Sequence, residues 1–131
     1  MQYSVAIRDA QNDAARGTTG PSPILEIRSG PEPVNCQAPD AGKLIASGTL
    51  PIDWLQPSRD GLMHKSGEWL LMGQADAGRG MAGGHFRIKA GGVCHWQGKF
   101  GKGMEMEPEE NLVAQGQYMV IKTFSVRRAN G

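Results

Sequence analysis

From residue 84 to 101, polar and apolar positions alternate almost one for one. Phe86 and Ile88 alternate with His85, Arg87 and Lys89, the period of a strand with one buried face. Ala90-Gly91-Gly92 interrupts the run, and Cys94, Trp96 and Phe100 then alternate with His95, Gln97 and Lys99. Two such runs about a short glycine turn predict an antiparallel hairpin. Phe86 and Trp96 are its expected core residues, with the histidines at the surface. A hairpin alone is barely stable in water, so other apolar runs must supply its partners.

Those runs recur along the chain. Leu25 and Ile27 oppose Glu26 and Arg28 in a short strand over 24–28. Residues 43–50 return to strand, with Leu44, Ala46 and Leu50 on one side. Trp54 and Leu55 follow a break at Pro51; they either cap an open end of the core or, if exposed, serve as partner anchors. Residues 68–75 are apolar on both faces, Trp69 and Leu71 against Leu70 and Met72, so one side has a covering other than the core. A short strand is expected at 104–107. In the last, 117–127, Tyr118, Val120, Phe124 and Val126 share one face, with Met119 and Ile121 on the other. The intervals 29–41, 56–67 and 76–84 read as loops rich in Pro, Gly or polar residues. The tail from Arg128 to Gly131 is expected to fray.

Residues 3–16 carry the one helical period, with Tyr3, Ile7, Ala10 and Ala14 on one face and Gly17 as a stop. The stripe is narrow and alanine-rich. The helix either lies on the β-domain or acts as an arm toward a neighbouring subunit, contributing more to assembly than to folding. With seven or eight strands and no strand–helix–strand repeat, the expectation is an all-β fold. Its form is an antiparallel two-sheet sandwich or jelly roll with a short N-terminal helix. The chain reads as one domain over 1–131, with a helical arm at 1–17 and the sandwich at 23–127.

Composition narrows the function classes. Fourteen basic and 13 acidic residues leave a net charge of +1, without the basic excess of a dedicated nucleic-acid binder. No apolar segment is long enough to span a bilayer, and no membrane partner is expected. The first residues lack a basic-then-apolar leader, so the chain is expected to fold in a reducing cytoplasm. Cys36 and Cys94 are then expected to be reduced thiols.

Little suggests chemistry. Gly78-Arg79-Gly80-Met81-Ala82-Gly83 lacks the Lys and Ser/Thr of a P-loop and reads as a hairpin connection. His85, Cys94 and His95 are too few for a closed zinc site, and Cys94 and His95 point to opposite faces of their strand. Glu105, Glu107, Glu109 and Glu110 read as a solvated run. With no nucleophile-elbow or triad signature, the chain is expected not to be an enzyme. No catalytic, cofactor-binding or metal-binding residue is expected.

Three stretches, YSVAIRDAQNDA, SPILEIRSGPEPVNCQAPDAGKLIASGTLP and AGGHFRIKAGGVCHWQGKFG, resemble in order and spacing a family of small tailed-bacteriophage virion proteins. Its best-understood members are jelly-roll head decoration, or cement, proteins. The resemblance implies a structural protein on the outer capsid surface of the virion, made in the host cytoplasm. It would bind the major capsid protein and itself, a dimer being favoured. The segment 102–117 departs from the family by its acidic and Met-rich character. Candidate partner contacts are Tyr3, Ile7, Trp54, Leu55, Leu70, Met72, Met119 and Ile121. The alternatives are a tail or head–tail joining component, or a carbohydrate-binding module with a groove lined by Trp54, Trp69 or Trp96.

Overall fold

The computed structural model describes residues 1–127; the tail expected to fray lies outside the described residues. Helix α1 (Val5–Thr19) is followed by strands β1 (Ile24–Arg28), β2 (Leu44–Thr49), β3 (Leu62–His64) and β4 (Trp69–Gly73). A short 3-10 turn (Ala75–Ala77) leads to β5 (Met81–Ala82), β6 (His85–Ala90) and β7 (Val93–Lys99). The chain ends with β8 (Met106–Pro108), β9 (Leu112–Val113) and β10 (Tyr118–Arg127). The fold is all-β and antiparallel with a single N-terminal helix, as expected.

The main sheet runs β3-β10-β4-β2-β1-β6-β7, with β8 also paired to β10. It curls until Phe100, just beyond β7, bridges Met106 at the start of β8, so its halves face each other like the layers of a sandwich. β6 and β7 form the predicted hairpin, turning on Gly91 and Gly92 at φ 59° and 76°. These left-handed values suit glycine at both central positions of a tight hairpin turn.

The core lies inside the curl. Leu25, Ile27, Ile45, Trp69, Leu71, Phe86 and Ile88 are buried there. Aromatic rings run through it in contact: Trp96 on Trp54 at 5.9 Å, Trp54 on Trp69 at 6.0 Å, Trp69 on Phe124 at 5.3 Å and Phe124 on Phe86 at 5.5 Å. Phe86 is core as expected, whereas Trp96 is half-buried and packs against the core's rim. Each indole N–H has a partner: Trp54 donates to Gly20 O, Trp69 to Ser66 O and Trp96 to Thr19 Oγ1.

Four expectations are corrected. In β10 the register shifts between Ile121 and Thr123, and such a bulge changes which side chains face inward. Met119 and Ile121 are therefore buried together with Phe124, while Tyr118 is exposed. Second, the polar face of β6 is not solvated. His85 and Arg87 are buried because the loop 29–43 folds back across them. Third, Cys36 and Cys94 are joined in a disulfide. That same loop brings their Cα atoms to 5.2 Å, within disulfide reach, across a separation of 58 residues that spacing alone could not reveal. Fourth, α1 runs past Gly17 to Thr19 and ends at Gly20, whose φ of 84° and bond to Arg16 O close the helix; it lies on the β-domain, one of its two expected placements, through its polar side.

Candidate interaction surface

Helix α1 starts at Ser4, whose hydroxyl accepts from Ile7 N–H at 3.2 Å, the usual N-cap arrangement. Its inward side meets the hairpin connection at 55–61. Ser58 Oγ and Gly61 N–H donate to Asp9 Oδ1 at 2.6 and 2.8 Å. Asn12 Nδ2 donates to Ser58 Oγ and Gly61 O, both at 3.0 Å, and Asn12 is fully buried. Ser58 N–H donates to Asp13 Oδ1, and Arg16 donates to Leu55 O. The Ser58 hydroxyl and then the Gly61 amide hold the Asp9 carboxyl below its ordinary value. A helix fixed by its polar residues leaves its apolar stripe outside. Ile7, Ala10 and Ala14 are exposed on the side opposite Asn12, and Tyr3, ahead of the N-cap, is exposed as well.

A second apolar area lies on the outer face of the main sheet. Leu70 and Met72 alternate with the buried Trp69 and Leu71. Met72 stands opposite Tyr118, and Leu70 opposite Val120. Leu70, Met72 and Tyr118 are 42, 41 and 61 % exposed. Ile24 adds to the same face two strands away and is also exposed. Cross-strand neighbours in such rows form continuous surface.

The candidate contacts thus divide. Tyr3, Ile7, Leu70 and Met72 are on the surface, whereas Trp54, Leu55, Met119 and Ile121 are at most 2 % exposed. Trp54 and Leu55 cap the core, the first of their two readings; the β10 bulge turned Met119 and Ile121 inward. Tyr118 and Ile24 are exposed apolar residues that were not among the sequence candidates. The pairing Met72–Tyr118 could have been found only with the sheet order in hand.

The other half of the outer face is polar and covered. Asp40, from the 29–43 loop, accepts from Arg87 at 2.9 Å, Lys89 at 2.7 Å and Arg28 at 3.2 Å. Glu26 pairs with Arg28 and Lys89. The Lys89 ammonium, then Arg28 and Arg87, hold the Asp40 carboxyl below its ordinary value against the opposing effect of burial. Arg87 also donates to Asn35 O and Gln97 Oε1.

Of the residues weighed for chemistry, His85 Nδ1 is 2.9 Å from Gly30 O under the loop. Cys94 is in the disulfide, and His95 is exposed. In the acidic run, Glu107 accepts from Gly103 N–H and Thr123 Oγ1. Among the described residues no group of three or more His, Cys, Asp or Glu is placed to hold a metal ion. No protein-family model, curated protein or solved structure matches the chain.

Proposed function

We propose that this chain is a bacteriophage virion structural protein that binds the major capsid protein on the outside of the head and stabilises the shell. The carrying observation is the pair of outward apolar faces, Ile7–Ala10–Ala14 on α1 with Tyr3 just ahead of it, and Leu70–Met72–Tyr118 on the sheet. Contiguous exposed apolar surface of this kind marks a contact site, and with two faces one copy can touch two neighbours. Clamping across neighbours lets modest contacts sum to persistent attachment. The resemblance of the three sequence stretches to head decoration proteins supplies the identity of the partner and the jelly-roll connectivity. The disulfide fits a particle that meets oxidising surroundings after release.

The carbohydrate-binding alternative is less favoured, because Trp54 and Trp69 are core residues and so offer no stacking platform. The deciding experiment is to omit the protein from phage particles and reconstruct the heads. Shells should remain, lose surface density at many equivalent positions and rupture at lower temperature. Density confined to the tail or the head–tail joint would replace this reading with that of a joining component.

A further inference from the structure

The 29–43 loop does more than cover the sheet. Its Asp40 places one carboxylate among three cations, Arg28, Arg87 and Lys89. With Glu26 as the other paired acid, the cluster keeps one positive charge in excess. A solvent-open cleft of about 440 Å³ adjoins it, lined among others by Asp40, Arg87, Lys89 and both cysteines. Apart from the loop's two ends, the described ties that hold it down are few. They are the His85 Nδ1–Gly30 O contact, the Asp40 pairs, the bonds to Asn35 O and Pro33 O, and the disulfide.

We propose that Arg28, Arg87 and Lys89 form an oxyanion-binding site, filled by the chain's own Asp40, and that the Cys36–Cys94 disulfide is the latch that keeps it filled. Opening the latch is ordinary thiol–disulfide exchange. A dithiol reductant, as its thiolate, attacks one sulfur and displaces the other as a thiolate. Its second thiol then resolves the mixed disulfide, so that two electrons and two protons pass to the cysteines and the reductant is oxidised to a cyclic disulfide. Both cysteines are only partly buried and border the cleft, so the reductant can reach them. Once the link is gone, Asp40 is held by charge pairs at 34 % side-chain exposure, which exchange readily with an external oxyanion.

The test follows the Asp40 carboxyl by NMR during acid titration of the full chain, oxidised and then reduced with a dithiol. In the oxidised protein Asp40 should titrate below an ordinary aspartate; after reduction its midpoint should rise toward the ordinary value. Inorganic phosphate should then shift the Arg87 side-chain resonances of the reduced protein only. Asp40→Asn with the disulfide intact is the second arm, since it removes the occupant without freeing the loop. This variant should bind inorganic phosphate at least tenfold more tightly than the oxidised parent. An Asp40 midpoint unmoved by complete reduction would overturn the latch. Equal phosphate affinity in the variant and the oxidised parent would overturn the site.

Discussion

Trp54 sits where three parts of the molecule meet: its ring touches Trp69 and Trp96, and its N–H is bound by Gly20 at the end of α1. Trp54→Ala should therefore cost about 3–5 kcal/mol in urea unfolding, and Trp96→Ala, at the rim, distinctly less. Equal losses would mean that Trp96 is as buried as its neighbour. Charge gives a second prediction. Asp9, Asp40 and Glu107 all have carboxyls lowered in the folded state, first by Ser58, Lys89 and the Gly103 amide respectively. The unfolded chain then binds more protons than the folded one in the acid range. Their stabilisation is complete only above about pH 5.5, where the unfolded carboxyls are ionised as well, and is lost as pH falls from there through the lowered folded values. Melting temperature measured from pH 7 to pH 2 should drop in that window. The combined Asp9→Asn, Asp40→Asn, Glu107→Gln variant should show a flatter profile; an unchanged acid slope would assign the loss to other groups.

Helix α1 shows what a helical period does and does not say. The spacing of Tyr3, Ile7, Ala10 and Ala14 located the helix well, because amphipathicity reports helical geometry whichever side faces inward. It left the docking side open, and that side is decided by Ser58 and Gly61, which offer a hydroxyl, an amide and a carbonyl to Asp9 and Asn12. Nothing local to residues 3–16 carries that information. Strands with strict alternation, such as β1 and β6, were legible for the same geometric reason. β3, β5 and β9, of two or three residues each, are too short to show a period. The turn Asp60-Gly61 ahead of β3 was the one available cue, since both residues take the left-handed φ of 53° and 76° that such a pair favours. The Arg87 cluster was illegible because its neutralising Asp40 arrives from a proline-rich loop. Two variants separate the helix's sides. Ile7→Glu should leave urea stability within about 0.5 kcal/mol of the parent while lowering attachment to heads. Removing residues 1–20 should leave the Trp54 and Trp96 N–H groups unpartnered, with a cost on the scale of buried unsatisfied donors, about 1–3 kcal/mol each. A truncated chain that melts like the parent would show the helix to be dispensable.

Across the whole molecule the disulfide closes a loop of 58 residues that contains β2 through β6. By the chain-entropy argument its reduction should lower folding stability by about 4 kcal/mol, seen as a shifted urea midpoint with the strand signal of circular dichroism retained below it. A loss under about 1 kcal/mol would place the stabilisation elsewhere. The same ring changes how the molecule carries load. Tension applied at the two termini enters through α1 and β1 and leaves through β7 to β10, but it passes from Cys36 to Cys94 through the sulfur link. The segments between them, with the central β2 and β4, lie in a side loop that the pull cannot lengthen. In single-molecule stretching, the oxidised chain should come to full extension roughly 200 Å shorter than the reduced one, at about 3.5 Å for each residue withheld. The bond would thus act as a strain limiter, letting the ends of the protein give while its middle strands stay unstretched.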